Sequence, residues 1–381
     1  MTSSTVLVAH PGSELYGSDR VLLDSVIGLV RSGERVVVTV PEAGPLRDAI
    51  IDAGAEVVIA PAFVLRKRLM RPSGWGELIR TSWAGGRAAW ALLSGTRPKA
   101  VYVSTITLPL WPLLSRLRRV PVVLHVHEGE ASAGRLTKGV LYAPALAADR
   151  IVVNSAFSSA VMTSTYRRLA SRAEVVPNAV PGPDAPSPPR ESTADGVRVL
   201  FVGRLSPRKG ADLVVEAVRI LDERGVRVTL DIVGSTFPGY EPYEQSIRDD
   251  IARHGLDDRI TLHGFHSDIW GFLDRADVLV VPSRLDEPFG NTAVEGILAA
   301  RPVIASDTSG LREATEGIPT ATRVEPGSAA AIADALIDVG VRWDELRGQV
   351  EQSRVIAAER HSPRRYQDRI AEIVTSRLGR R

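Results

Sequence analysis

At 381 residues with 44% hydrophobic content, the chain is long enough for two soluble domains, each with its own core. It has no cysteine, which excludes disulfides and thiolate metal sites and fits a reducing compartment. The net charge of +2 is unevenly placed: residues 1–196 carry 22 Lys+Arg against 16 Asp+Glu (+6), and the rest carry 25 against 29 (−4). So small an overall charge argues against nucleic acid as a partner.

The chain opens on the apolar run Thr5–His10 without a basic leader or a long apolar stretch, which predicts a first strand, no signal peptide and a cytoplasmic protein. No run approaches about eighteen apolar residues, so no membrane span is expected. Further strands are predicted at Arg35–Val40, Glu56–Ala60, Ala100–Val103, Val122–His127, Arg150–Val153 and Ala173–Val176. Each is followed by a helical pattern or a loop, as in a doubly wound α/β sheet. Gly17-Ser18-Asp19-Arg20 opens the first helix, where backbone amides can meet a phosphate or an acceptor, although an ordinary helix N-terminus explains the glycine equally well.

Residues 62–99 are the most basic stretch: Arg66, Lys67, Arg68, Arg71, Arg80, Arg87, Arg97 and Lys99 face only Glu77. A helix from Trp75 to Leu93 puts Trp75, Ile79, Trp83 and Trp90 within a face about 80° wide. Two readings stand: peripheral contact with an anionic membrane, or core packing of the tryptophans beneath a solvated basic rim. Further on, the strand ending at His127 puts His125 and His127 on one face, followed by Glu128. An imidazole at a strand end can donate to a sugar hydroxyl or relay a proton; His127 reads as functional and His125 as structural.

The stretch 181–196 begins Pro181-Gly182-Pro183-Asp184-Ala185-Pro186 and reads as an interdomain linker between domains at 1–180 and 197–362. The second domain predicts strands at Arg198–Val202, Arg227–Val233, Ile260–His263, Val278–Val281, Pro302–Ala305 and Thr322–Val324. Helices follow at Ser328–Gly340 and Val341–Glu359, and residues 363–381 hold a last amphipathic helix.

Two loops of this domain carry the chemistry. After the strand ending at Val202 comes Gly203-Arg204-Leu205-Ser206-Pro207-Arg208-Lys209-Gly210. A forked donor, Arg204, and a point charge, Lys209, suit a diphosphate, and Gly203 allows close backbone approach. After Val281 comes Glu287-Pro288-Phe289-Gly290-Asn291-Thr292-Ala293-Val294-Glu295, with two carboxylates eight positions apart. Ligands of open α/β sheets bind beyond the carboxyl ends of strands. Glu287, the turn at Phe289 and Gly290, and the amides of Asn291 and Thr292 therefore fall where a sugar nucleotide is expected, with Glu295 able to accept from sugar hydroxyls. His263 and Phe265, at the end of another strand, form a candidate edge for the base.

The Gly-Arg-Leu-x-x-x-Lys-Gly and Glu-x7-Glu stretches, in this order, resemble the retaining glycosyltransferases of family 4, which have the GT-B fold of two Rossmann-like domains facing across a cleft. Gly17-Ser18-Asp19-Arg20, His127-Glu128, Val176-Pro177-Asn178 and Arg301-Pro302-Val303 are similar to further family elements in the same order. Ser18 stands where the family more often has a second glycine. The resemblance implies that Glu295 holds the ribose, that Glu287 lies near the transferred sugar, that configuration is retained, and that the C-terminal helix crosses back to the first domain. It also implies a hexosyl transfer from a nucleotide-diphosphate sugar to a glycan or lipid-linked glycan, with His127, Glu287, Arg204 and Lys209 serving the reaction.

No Asp-x-Asp is present, so no metal is expected. No Gly-x-Gly-x-x-Gly or Walker A sequence points to a dinucleotide oxidoreductase or a P-loop NTPase. A nucleotide-sugar epimerase on the same fold and a non-catalytic glycan-binding protein remain as rivals.

Overall fold

The computed structural model describes residues 4–15, 17–66, 74–237 and 239–376. The chain forms two compact units: residues up to Ala179 together with the segment from Pro363 make the first, and Val180–Ser362 make the second. The predicted strands are all present among the described residues, with ends shifted by a residue or so.

The first unit is built on a parallel sheet of β1 (Thr5–Ala9), β2 (Arg35–Val40), β3 (Glu56–Ile59), β4 (Ala100–Val103), β5 (Val122–Val126), β6 (Arg150–Val153) and β7 (Ala173–Val175), in the order β3-β2-β1-β4-β5-β6-β7. Helices cover both faces, so the central strands are continuous apolar runs. Val6 and Val8 point to one face, with α1 (Gly17–Arg31), α2 (Pro45–Asp52) and α14 (Pro363–Thr375). Leu7 and Ala9 point to the other, with α3 (Trp75–Thr96), α4 (Leu110–Leu117), α5 (Arg135–Tyr142) and α6 (Ala156–Thr165).

The chain's last helix is a structural part of this unit. Ser25 Oγ of α1 lies 2.7 Å from the Tyr366 hydroxyl and 3.1 Å from that of Tyr102. Gln367 Nε2 donates to Asp24 at 2.8 Å. A Cβ at Gly28 would stand 2.4 Å from the Gln367 carbonyl oxygen, so the backbones of α1 and α14 touch where no side chain fits.

The second unit holds a parallel sheet of β8 (Val197–Val202), β9 (Val228–Val233), β10 (Ile260–Gly264), β11 (Val278–Val281), β12 (Val303–Ser306) and β13 (Ala321–Val324), in the order β10-β9-β8-β11-β12-β13. From β8 the chain winds one way to β9 and β10, and from β11 it winds the other way to β12 and β13. The direction reverses between β8 and β11, and in such sheets that is where ligands bind. The flanking helices are α7 (Ala211–Glu223), α8 (Glu241–Arg253), α9 (Trp270–Arg275), α10 (Asn291–Leu298), α11 (Ser309–Thr315), α12 (Ala329–Val341) and α13 (Trp343–Arg360).

Residues 181–196 have no helix or strand, as their prolines imply, but they lie along the second unit. Arg190 donates to both carboxylate oxygens of Asp277 at 2.7 Å, and the Trp343 indole donates to the Arg190 carbonyl at 3.0 Å. Polar side chains thus fix a segment that composition alone makes look free. No described helix is long and apolar enough to cross a membrane.

The α1–α14 contact gives a direct test. Gly28→Ala must push the helices apart, and overpacking of this kind costs about 1–3 kcal/mol. The variant should melt several degrees below wild type and be cut by protease near Ser362 sooner. An unchanged melt and cleavage rate would mean that α14 is not needed to complete the unit.

Candidate functional site

The two loops singled out in the sequence meet at the reversal point of the second sheet. Gly210 has φ +72° and caps α7; a Cβ there would lie 2.4 Å from the Pro282 carbonyl oxygen, at the end of β11. Only glycine meets both conditions. This approach brings Lys209 Nζ to 2.7 Å and Arg208 Nη1 to 3.1 Å from the same oxygen of Glu287, with Ser283 Oγ at 3.2 Å. The Glu287 side chain is only 13% exposed. Burial alone would raise its pKa, but Lys209 and Arg208 hold it below the ordinary carboxylate range.

The backbone around Glu287 is also held. Its N–H donates to Ser309 Oγ at 2.9 Å, and the Gly310 N–H donates to its carbonyl at 2.8 Å. Ser309 adopts φ +30°, a left-handed conformation that is uncommon for a residue with a side chain. Gly290, at φ +105°, turns the chain into α10, so the helix begins with the amides of Asn291 and Thr292 after the anchored carboxylate. Glu295 lies on α10 and is half-buried. Arg284 donates to both oxygens of Asp212 and to the Pro207 carbonyl, tying the β11 loop to the Arg208 loop a second time.

Arg204 is exposed, with its guanidinium 3.3 Å from the centre of the Phe237 ring. Phe237 follows β9, so this stacking joins the ends of two neighbouring strands. At the end of β10, His263 Nε2 lies 2.6 Å from Asp231 Oδ1 and its ring meets Phe272 edge-on at 4.9 Å. Phe265 beside it is exposed. The structure thus collects Gly203, Arg204, Lys209, His263, Phe265, Glu287, Phe289, Gly290, Asn291, Thr292 and Glu295 at the carboxyl edge of one sheet.

In the first unit, His127 directly follows β5, and its ring stacks on that of His125 at 3.8 Å. His125 is fully buried, with Nδ1 2.5 Å from the Tyr102 hydroxyl. Burial, and then the nearby His10, lower the His127 pKa to about 3, with Asp19 acting in the opposite direction. Burial pushes His125 well below its usual value too, helped by His127. Glu128 accepts from the Thr105 hydroxyl and, at 2.9 Å, from the His127 N–H.

Sequence reasoning missed His10 altogether and passed over Asp19. His10, just past β1, is held between Asp19 Oδ1 at 2.8 Å and Ser104 Oγ at 2.6 Å. Gly12 crosses closely above: a Cβ there would lie 3.2 Å from that Asp19 oxygen. The available signal was the position of His10 beyond an apolar strand, next to the Gly17 helix start. Arg208 was read as part of the loop, and its ion pair was not foreseen. Among the described residues, no group of His, Asp and Glu has the arrangement to hold a metal.

Residues 16–181 match the family described as Glycosyltransferase Family 4, and residues 188–352 match Glycosyl transferases group 1. A D-inositol 3-phosphate glycosyltransferase of Acidothermus cellulolyticus is 30% identical over 310 residues, covering 76% of this chain and 66% of that protein. A phosphatidyl-myo-inositol mannosyltransferase of Mycobacterium leprae is 30% identical over 267 residues, covering 68% and 66%. The matched stretch is therefore just under two thirds of each relative's length. Among solved structures, Anabaena Alr3699/HepE in complex with UDP and glucose superposes with a TM-score of 0.81 at 20% identity, covering 98% of this chain and 100% of that one. Likeness at that identity shows the fold, which is the GT-B fold.

The histidine pair gives a pH prediction. A histidine whose folded pKa lies below its unfolded value of about 6.5 binds its proton more readily when unfolded, so stability falls as pH drops from 6.5 towards 3. Glu287 acts only lower: its depressed pKa supports stability above about 4.5, which is lost as pH falls through the folded value. Between pH 7 and 5 the unfolding free energy, and with it the melting temperature, should therefore fall, the free energy by up to about 1.4 kcal/mol per pH unit from each of the two histidines. His127→Gln should flatten that slope, and Glu287→Gln should not. Equal slopes in wild type and His127→Gln would show that His127 titrates normally.

Proposed function

We propose, from the premise that this chain belongs to the family-4 glycosyltransferases of the GT-B fold, that it moves a hexosyl unit from a nucleotide-diphosphate sugar to a hydroxyl of a glycan or lipid-linked glycan, with retention of configuration. The observation that carries this reading is the set of Arg208, Lys209 and Glu287 at the point where the second sheet reverses, beside the start of α10. Two cations face one carboxylate there, which leaves positive charge for a diphosphate. Solved neighbours in complex with UDP and with UDP-glucose support a nucleoside-diphosphate donor.

In this reading Arg204 and Lys209 hold the diphosphate together with the amides of Asn291 and Thr292. Glu295 accepts from the ribose, Glu287 lies by the sugar, Gly203, Phe289 and Gly290 let the backbone approach, and His263 and Phe265 edge the base. The bond between the anomeric carbon and the β-phosphate oxygen breaks, and the acceptor oxygen bonds to the same face of that carbon. The acceptor proton passes to the departing phosphate oxygen, whose charge the preorganised cations stabilise. No metal is required. His127, neutral at physiological pH by its lowered pKa, serves as a hydrogen-bond partner for a sugar hydroxyl or the leaving phosphate, and Gly17 opens the helix on the acceptor side. The enzyme works in glycan or polysaccharide biosynthesis in the cytoplasm, peripheral to the inner face of the membrane.

Thermal-shift titration with GDP-, UDP-, dTDP- and ADP-sugars should give a concentration-dependent rise for one base, since only the folded state binds. Arg204→Ala and Lys209→Ala should each weaken that binding by roughly 2–4 kcal/mol. The absence of a rise with every nucleotide sugar, or unchanged affinity in both variants, would overturn the donor assignment.

Transfer should also survive EDTA once donor and acceptor are known. Activity abolished by EDTA and restored only by Mg²⁺ or Mn²⁺ would mean that a metal neutralises the leaving group.

A further inference from the structure

The helix α3 carries two apolar stripes on neighbouring faces, and among the described residues only one of them is covered by the fold. Gly85, Ala89 and Leu93 are buried against the first sheet, where a Cβ at Gly85 would stand 2.6 Å from the Phe63 N–H. Trp75, Ile79, Trp83 and Trp90 face outward, with Ile79 70% and Trp83 67% exposed. The core-packing reading of these tryptophans is thereby overturned. The neighbouring α4 extends the surface with Leu113 and Leu117, the latter 70% exposed. The two helices are joined by Arg118, whose guanidinium lies 4.6 Å from the Trp90 ring, and Arg87 similarly lies 4.8 Å from Trp83.

We propose that this outer surface of α3 and α4 docks on an anionic lipid bilayer. Between Trp75 and Arg119 there are six arginines (Arg80, Arg87, Arg97, Arg116, Arg118 and Arg119) and a single carboxylate, Glu77; the one lysine of that stretch, Lys99, is paired with Glu34 at 2.6 Å and is not counted. Indole rings favour the boundary between headgroups and acyl chains, and guanidinium groups beside them meet phosphate. The same charge disfavours a second copy of this chain as the occupant, because like charges would face each other across a two-fold interface. Of the residues first read as the basic patch, Lys67, Arg68 and Arg71 lie outside the described residues, and the surface stands without them.

The topology also says what docking achieves, a point that rests on the glycosyl-transfer reading. A helix that follows a strand in a parallel sheet runs back antiparallel to it. The Trp75 end of α3 therefore lies at the carboxyl edge of the sheet, the edge that bears His10 and His127. A bilayer held there presents a lipid-linked acceptor to that edge.

The test uses the full chain with vesicles of phosphatidylcholine alone or with phosphatidylglycerol, read by co-sedimentation and tryptophan emission. Wild type should pellet with the anionic vesicles at low salt, with a blue-shifted emission, and should partition at least about tenfold less into neutral ones. Arg80→Glu with Arg87→Glu, and separately the triple variant Trp75→Ala, Ile79→Ala, Trp83→Ala, should each reduce binding by about tenfold or more. All five positions are exposed sites on α3, and circular dichroism with the nucleotide thermal shift checks that both variants fold. Failure of wild type to bind anionic vesicles overturns the proposal, as does binding unaffected in both variants. A concentration-dependent dimer that the triple variant abolishes, without vesicle binding, would assign the surface to a second copy instead. Vesicle binding with no thermal shift from any nucleotide sugar would leave the docking surface standing and overturn the transfer reading.

Discussion

A carboxylate largely withdrawn from water has to be matched by cations, and the second unit is arranged around meeting that requirement at Glu287. Removing an ionised carboxylate from solvent is costly unless charge and hydrogen bonds replace the lost water. Lys209, Arg208 and Ser283 supply the replacement on the side chain, and Ser309 and Gly310 fix the backbone. None of this can form unless the loop after β8 and the loop after β11 come into backbone contact. The glycine at 210 permits that contact, because any side chain there would collide with the Pro282 carbonyl. The pair Arg284–Asp212 then ties the same two loops together from the other side. The cations are thus preorganised by the fold before any ligand arrives, and that order of events is what electrostatic stabilisation of a leaving group needs.

The first unit meets a different constraint, which is how to keep a buried histidine, His125, and the half-buried His127 beside it uncharged. His125 lies in a polar layer that runs from Tyr366 of α14 through Ser25 of α1 and Tyr102 of β4. Its ring supports that of His127, which lies at the sheet's carboxyl edge. A histidine held to a pKa of about 3 cannot serve as a cation at neutral pH, so its chemistry is that of a neutral imidazole, which donates through one nitrogen and accepts through the other. His10 is placed differently, with both ring nitrogens within hydrogen-bonding reach of a partner.

Much of this was legible in the sequence because parallel strands buried on both faces are written as short, uninterrupted apolar runs. Val278–Val281 and Ala100–Val103 are examples, and both were placed to the residue. The site loops were legible because glycine and charge fall directly after such runs. What stayed hidden depends on pairing across long sequence separations. Nothing near Glu287 indicates that Lys209, 78 positions earlier, would neutralise it. Nothing near Asp277 indicates that Arg190 would bind it and hold the proline-rich stretch on the second unit. His10 was hidden for the same reason, since its partner Ser104 is 94 positions away.

The tryptophan stripe shows a limit of a different kind. Periodicity locates an apolar face on a helix but does not say which of two faces meets the sheet. On α3 the stripe of Gly85, Ala89 and Leu93 lies roughly 90° from that of Trp75, Ile79, Trp83 and Trp90 at about 100° per residue. Hydrophobicity alone would bury the larger residues. The structure buries the smaller ones, because Gly85 lets the helix backbone reach that of Phe63, and a tryptophan there would hold the two apart. Close backbone packing decides which stripe the core takes. The larger stripe is then left facing outward among arginines, uncovered by the described residues.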